Sequence, residues 1–173
     1  MAKEKPVVGV LIGSDSDLPV IRRCLDQLDQ FAIPYELRVI SAHRTPGVAY
    51  EYAESAAGRG LKVIIAAAGM SAALAGVMAA GTTLPVIGVP ISAAPLAGID
   101  AAVSTMQMPP GVPVGCMSIG AAGATNAAIF AAQILSLSDT KIAEKVAQFK
   151  QAQAKKVAAK DAEVNKAAAE GRA

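Results

Sequence analysis

The chain has 173 residues, enough for one domain with a substantial core and too few for two domains of ordinary size. Apolar residues make up 53% of it and aromatic residues only 3%, so small side chains must provide much of the packing. Eight basic and nine acidic residues precede position 139, and eight basic and five acidic residues follow from there. Because no basic cluster is interleaved with aromatic residues, the composition argues against a nucleic-acid partner.

The cysteines and the apolar stretches indicate a cytoplasmic protein. Cys24 and Cys116 are far apart in the sequence and form no CxxC pair, which favours two reduced thiols. The apolar run near the N-terminus is too short for a signal peptide. No charged residue occurs between Lys62 and Asp100, but glycine and proline interrupt this stretch, whereas a membrane span needs about 20 continuous apolar residues. We therefore expect no membrane partner.

Short β-branched segments alternate with longer alanine-rich segments through the first 138 residues. Several of the predicted strands are apolar throughout, which is typical of a parallel sheet covered by helices on both faces. The alternation predicts one α/β catalytic domain over residues 1–138, a three-layer, doubly wound parallel sheet of the flavodoxin-like or Rossmann-like kind. Strands are predicted at 7–12, 36–40, 63–67, 86–89 and 114–119, and helices at 18–31, 47–59, 72–80, 95–107 and 123–137.

Residues 139–173 are predicted to form a helical tail, with one long helix over about 139–168. Its apolar residues recur at helical spacing, but most of the helix is polar. Such a sparse apolar stripe cannot stabilise a helix of this length alone. We therefore expect the tail to pack on its own domain or on a neighbouring subunit.

The loops that follow the strands are the places where this kind of sheet binds ligands. The first of them, residues 13–17, reads Gly-Ser-Asp-Ser-Asp and directly precedes a helix. Backbone amides and hydroxyls at a helix N-terminus can hold a phosphate, and Asp17 can accept hydrogen bonds from sugar hydroxyls as well as cap the helix. A plain capped turn explains the same residues.

The second loop, residues 41–46, reads Ser-Ala-His-Arg-Thr-Pro and contains the only histidine of the chain, His43. An isolated histidine is more often structural than catalytic, but this one follows a strand and stands beside Arg44, whose guanidinium can clamp a phosphate or carboxylate. Arg44 could equally be a surface charge. Thr45 is expected to cap the next helix. A lone histidine and scattered acids offer no metal-ligand cluster.

The third loop, residues 69–76, reads Gly-Met-Ser-Ala-Ala-Leu-Ala-Gly. Its small residues let a ligand approach the backbone closely, although glycines needed only for packing explain them as well. Further along, residues 107–111 are expected to form a turn that can also close over a ligand, and Asn126 is expected to cap a helix.

These loops, together with Gln107-Met108-Pro109 and Asn126-Ala127-Ala128, resemble the N5-carboxyaminoimidazole ribonucleotide mutase (PurE) family of purine biosynthesis. The similarity extends over residues 7–137. It implies an aminoimidazole ribonucleotide substrate whose carboxylate moves from the exocyclic nitrogen to ring carbon 4, with carbon dioxide as the intermediate. It also implies no metal or organic cofactor, and a homo-octamer with active sites at subunit junctions.

The resemblance further assigns roles to particular residues. His43 would be the general acid and base, since an imidazole titrates near neutrality and can both donate and accept the proton at carbon 4. Ser14 and Arg44 would bind the phosphate, and Asp17 the ribose hydroxyls. The remaining residues expected around the substrate are Gly13, Ser16, Ser41, Ala42, Gly69, Ser71 and Leu74.

The third loop departs from the mutase pattern Gly-Gly-Ala-Ala-His-Leu-Pro-Gly, because Ala73 stands where that pattern has histidine and Met70 where it has glycine. Related carboxylases that use free carbon dioxide carry a loop closer to Gly-Arg-Ser-Asn-Ala-Leu-Ser-Gly, which this chain matches at Ser71, Ala73 and Leu74. The segment at 44–46 and residues 86–137 resemble the mutases. Mutase is therefore the first hypothesis and aminoimidazole ribonucleotide carboxylase the second.

A non-enzymatic receiver-like or flavodoxin-like module is a more remote alternative. A receiver needs a phosphate-accepting aspartate after its third strand, where this chain has Ala67-Ala68-Gly69. A flavin module needs aromatic side chains around the ring, and the chain has only three Tyr and three Phe. Both patterns fit less well than the enzyme.

Overall fold

The computed structural model describes residues 5–93 and 95–172. Strands and helices alternate as the sequence predicts as far as the fifth helix, and a 3-10 turn, Asp15–Asp17, precedes the first helix. The elements in chain order are β1 (Val8–Ile12), α1 (Leu18–Gln30), β2 (Tyr35–Val39), α2 (Pro46–Ala56), β3 (Val63–Gly69), α3 (Leu74–Gly81), β4 (Val86–Ile91), α4 (Ile99–Met106), β5 (Gly115–Cys116), α5 (Ala121–Ser136) and α6 (Thr140–Ala169).

All five strands are parallel and lie in the order β2-β1-β3-β4-β5. The order reverses direction between β1 and β3, where Val10 pairs with Ile65. In a doubly wound sheet the loops on the two sides of such a reversal diverge and leave a crevice at the carboxyl ends of the strands. The predicted doubly wound α/β fold is confirmed.

Alternate residues of the central strands face two separate helical layers. Val10 and Ile65 belong to a buried cluster with α1, α5 and the beginning of α6. Leu11 and Ile64, which are adjacent in the chain to Val10 and Ile65, belong to a cluster with α2 and α3. Thr105 of α4 contacts the side of Gly88 that also faces Ala75 of α3, so α4 lies in this second layer. Because both faces are covered, the central strands β1, β3 and β4 are apolar throughout, whereas the edge strand β2 carries Glu36 and Arg38.

Several predicted boundaries were wrong, and the fifth strand shows how residues outside a segment can set its end. The fifth strand was expected over 114–119, but only Gly115–Cys116 pairs with β4. Met117 still donates its backbone N–H to Gly88 at 2.9 Å, and the next donor required from β4 belongs to Pro90, which has no N–H.

The fourth helix was expected over 95–107 but begins at Ile99. Ala97 and Gly98 have φ values of 51° and 86°, in the left-handed region, which a right-handed helix cannot include. The third helix likewise begins two residues late, at Leu74, because the preceding loop turns sharply.

Helix α6 packs on the domain only through its first third. Val146 is buried, the Phe149 ring meets Phe31 edge-on at 5.5 Å, and the Lys145 ammonium donates a hydrogen bond to the Phe31 carbonyl at 2.7 Å. From residue 150 to 166 every position is exposed. Within the described part of the chain, neither this helix nor any other is both long and apolar enough to cross a membrane. The division at residue 139 stays a prediction.

Candidate active site

A pocket of about 420 Å³ opens at the carboxyl ends of β1, β2 and β3, beside the reversal in strand order. The loops that follow these three strands form most of its walls, and Ala93, which follows β4, adds to them. The eleven residues selected from the sequence all line it, together with Ala68, Met70, Ala73 and Ala93: Gly13, Ser14, Ser16, Asp17, Ser41, Ala42, His43, Arg44, Gly69, Ser71 and Leu74.

The first loop is held by hydrogen bonds between its own members. The Ser14 side chain accepts from the backbone N–H of Ser16 at 3.3 Å, and the Asp17 carboxylate accepts from the backbone N–H of Ser14 at 3.1 Å. This reciprocal arrangement is a capping box around the 3-10 turn. The Ser16 hydroxyl also donates to the Ser14 hydroxyl at 2.8 Å. Two hydroxyls are therefore held side by side at the pocket wall.

Asp17 is only 8% exposed although it carries a carboxylate. Burial raises its pKa above the ordinary value of 3.8; the Ser14 amide opposes this shift and the nearby Asp15 adds to it. The prediction that the Asp17 side chain caps the following helix was wrong, although its position was right. Asp17 occupies the N-cap position of α1, but its side chain bonds backward to Ser14. A carboxylate oriented in this way is part of the pocket wall.

Ser41 and Thr45 hold the second loop closed. The Thr45 hydroxyl donates to the Ser41 carbonyl at 2.9 Å and accepts from the Ser41 backbone N–H at 3.1 Å. The Ser41 hydroxyl accepts from the backbone N–H of Arg44 at 3.2 Å. Thr45 therefore occupies the N-cap position of α2 without capping it, contrary to expectation, since its hydroxyl is engaged within the loop.

His43 and Arg44 are presented by this closed loop with both side chains exposed. Among the residues that the structure describes, neither side chain forms a hydrogen bond or an ion pair. An imidazole and a guanidinium that are free at a pocket wall can engage a ligand without first breaking an internal contact.

The third loop supplies the apolar part of the wall. Gly69 ends β3 in close contact with the next strand, since a Cβ there would lie 3.1 Å from the Ala93 Cβ and 3.2 Å from the Ile91 carbonyl oxygen. Ala93 was not anticipated from the sequence. It follows a strand, as the other lining segments do, and the rule that ligands bind beyond strand ends could have identified it.

Two further segments selected from the sequence lie elsewhere. Met108 packs on α3, where its terminal methyl is 3.2 Å from the position of a Cβ on Gly76, and it does not line the pocket. Asn126 is the sixth residue of α5, whose N-cap is Gly120, so the expectation that Asn126 caps the helix was wrong. Within residues 5–93 and 95–172, no group of three or more His, Cys, Asp or Glu could hold a metal.

Comparison with known proteins agrees with this geometry. The AIR carboxylase family model matches residues 7–156. The chain belongs to the AIR carboxylase family. It is 54% identical to the N5-carboxyaminoimidazole ribonucleotide mutase of Bacillus subtilis over 142 residues, covering 82% of this chain and 88% of that protein. It is 49% identical to the mutase of the same name from Mycobacterium tuberculosis over 167 residues, covering 96% and 95%.

A solved structure in the family has the same architecture. The crystal structure of Treponema denticola PurE matches 91% of this chain and 98% of its own, with a TM-score of 0.82 and 31% sequence identity. The fold and the family predicted from the sequence are therefore confirmed.

Proposed function

We propose that this protein is an N5-carboxyaminoimidazole ribonucleotide mutase, an isomerase of purine biosynthesis. The observation that carries the proposal is the convergence of all three predicted loops on one pocket, with hydroxyls, a guanidinium, a carboxylate and the only imidazole in its walls. Relatives of about half-identical sequence and nearly equal length that carry this name support it. The substrate is a ribonucleotide whose exocyclic nitrogen carries the carboxylate.

The reaction separates into two balanced steps. In the first, the bond between the exocyclic nitrogen and the carboxylate carbon breaks, which releases carbon dioxide, and the nitrogen gains a proton. In the second, ring carbon 4 forms a bond to carbon dioxide and loses its proton, which restores aromaticity. One proton is gained and one is lost, so a single imidazole, that of His43, can serve both steps as acid and base.

The polar walls supply the groups that a ribonucleotide requires. The guanidinium of Arg44 binds the phosphate with several free N–H donors. The hydroxyls of Ser14 and Ser16 also bind it, after their hydrogens turn from Asp15 and Ser14 to the phosphate oxygens. The buried carboxylate of Asp17 accepts hydrogen bonds from the ribose hydroxyls. Leu74 adds an apolar side chain, and small lining residues leave room for the substrate: Gly13, Ser41, Ala42, Gly69 and Ser71.

The alternative activity is aminoimidazole ribonucleotide carboxylase, which the third loop favours because Ala73 stands where the mutase pattern has histidine. The two activities differ in the carboxyl donor. Purified protein supplied with N5-carboxyaminoimidazole ribonucleotide, while free carbon dioxide is trapped, is expected to form the carbon 4 carboxylate. Faster product formation from aminoimidazole ribonucleotide with bicarbonate, without the trap, would reverse the assignment.

Self-association is part of the proposal, and the resemblance to the family sets the number at eight copies. Asp100 is the only charged residue between Lys62 and Asp139. Within this stretch Ile99, Val103 and Met106 lie on one side of α4, each between 47% and 64% exposed. Asp100 lies on the same helix and is half-buried, so the exposed side of α4 is mainly apolar. A second copy of the chain would cover these apolar side chains, which supports an interface there.

The cytoplasm is the proposed location. Cys24 and Cys116 are both unpaired thiols in the structure, as expected of a protein kept under reducing conditions.

A further inference from the structure

Met70 has a backbone conformation that its side chain disfavours. It follows β3 in the third loop with a φ of 56°, in the left-handed region where the Cβ of an L-residue is crowded. Glycine would adopt this conformation without that crowding. A strained residue at a ligand site is a reason to ask what its side chain does there.

Two other residues in the described part of the chain share this conformation without being glycine, Ala32 and Ala97. Both have the smallest side chain other than glycine's hydrogen, and Ala32 comes one residue after the C-cap of α1, Phe31, where left-handed residues commonly end helices. Neither lines the pocket. Met70 differs because it combines the strained backbone with a long side chain at the pocket.

The surrounding loop imposes this conformation. Backbone amides of Ala72 and Ala73 donate to the carbonyls of Met70 and Ser71 at 2.8 and 2.7 Å, so two tight turns follow one another. On the other side, the contacts of Gly69 with Ala93 and Ile91 leave the end of β3 little room to shift. The loop therefore holds the Met70 backbone at the pocket and fixes the point from which its side chain extends.

The Met70 side chain is 61% exposed while it lines the pocket. It contributes little to the core, so packing does not explain a large apolar residue at this position. The groups proposed to bind the phosphate and the ribose come from the first two loops, and the third loop provides mainly apolar lining. The uncharged reaction intermediate, carbon dioxide, is best accommodated against that apolar lining.

We propose that Met70 is a specificity-determining residue that covers the reacting end of the pocket and retains carbon dioxide between the two steps. The proposal rests on the proposed function. Carbon dioxide that escapes is hydrated to bicarbonate and a proton, which leaves aminoimidazole ribonucleotide behind. An apolar cover slows both the escape of the gas and the entry of water.

The test measures how much of the substrate's own carboxylate carbon reaches the product without exchanging with bicarbonate in solution. Enzyme is given N5-carboxyaminoimidazole ribonucleotide with a ¹³C-labelled carboxylate, in unlabelled bicarbonate with carbonic anhydrase present, over the first turnovers. The wild type is expected to retain most of the label in its product. Met70→Gly is expected to lose label at least threefold faster per turnover, and Met70→Leu, which keeps an apolar side chain, to stay within twofold of the wild type.

Ala32→Gly is the matched control, because it relieves the same backbone strain away from the pocket and is expected to retain label as the wild type does. Label retention by Met70→Gly equal to the wild type, or leakage by Met70→Leu equal to Met70→Gly, would overturn the role of Met70. If Met70→Gly does not fold, Met70→Gln replaces it, and wild-type retention by that polar variant overturns the role too. A wild type that forms no product contradicts the proposed function instead.

Discussion

His43 is the residue on which the proposed chemistry depends, and no other imidazole in the chain can replace it. We expect His43→Asn to lower turnover by about 10²- to 10⁴-fold, the usual contribution of a positioned acid or base. Because its side chain makes no contact that holds the loop, ribonucleotide binding is expected to persist within a few-fold. Steady-state turnover and calorimetric titration with the ribonucleotide measure the two effects. Turnover close to that of the wild type would contradict the role.

We predict that the Asp17 carboxylate lowers the free energy of unfolding and strengthens ribonucleotide binding. Asp17→Asn keeps an oxygen to accept from the Ser14 amide but removes a buried charge, so we expect a higher free energy of unfolding at pH 7. Ribonucleotide binding is expected to weaken by about 1.5–3 kcal/mol, as for a lost hydrogen bond to a charged group. Urea unfolding and calorimetric titration check the two parts.

The sign of the pH dependence follows from the raised pKa of Asp17. The folded state holds this proton more tightly than the unfolded state, so the contribution of Asp17 to the free energy of unfolding falls as pH rises above 3.8 through the raised pKa. The stability difference between Asp17→Asn and the wild type should therefore disappear below pH 3.8 and be largest above the shifted pKa. A variant less stable than the wild type at pH 7 would mean that the bond from Ser14 to the carboxylate outweighs its burial.

Some residue-level predictions failed because a side chain had more than one partner available. Asp17 and Thr45 both occupy N-cap positions, where a local rule predicts bonds forward into the helix. Both bond backward into the loop instead, to Ser14 and Ser41. The local pattern locates such residues well, but it cannot determine which of two nearby amides or carbonyls the side chain meets.

At the scale of elements, the start of α5 depends on one glycine. A Cβ on Gly123 would collide with the carbonyl oxygen of Ser118, a backbone atom that cannot move aside cheaply. We expect Gly123→Ala to lower the free energy of unfolding by about 1–3 kcal/mol, the usual cost of overpacking. Gly47→Ala is the matched control, since it lies in the first turn of α2 with nothing within 4 Å, and it should stabilise by about 0.4–1 kcal/mol. Urea unfolding at one protein concentration compares the two, and equal effects would refute the packing argument.

The ends of elements were predicted less well than their presence and order. The period of the apolar residues indicates each strand and helix, because it reflects which faces are buried. Where β5 ends depends on Pro90 of the neighbouring strand, and where α4 begins depends on the left-handed turn at Ala97. A local sequence pattern does not show which residues of a neighbouring strand are available as hydrogen-bond partners, so it cannot predict where pairing ends.

For the whole molecule, the exposed side of α4 is predicted to be covered by another copy of the chain. Val103→Lys places a charge on this surface and is expected to lower the assembly mass measured by light scattering. Ala57→Lys adds the same charge at an exposed position beside α2, in the charged part of the sequence, and should leave the mass unchanged. A Val103→Lys protein of wild-type mass would exclude this surface from the interface.

The sequence alone determined the layered α/β fold, the family and the three loops that form the pocket. The fold and the place of the loops follow from local order, since apolar strands that alternate with helices are typical of a parallel, buried sheet, and parallel strands end at one edge of it. The family follows from the resemblance of the loop sequences to those of known mutases. Only the tertiary structure decided that Asp17 is buried, that Ala93 joins the pocket and that Met70 is held at its wall in a strained conformation. Each of these depends on contacts across the sheet or on a backbone angle set by neighbouring loops, which no local pattern of residues contains.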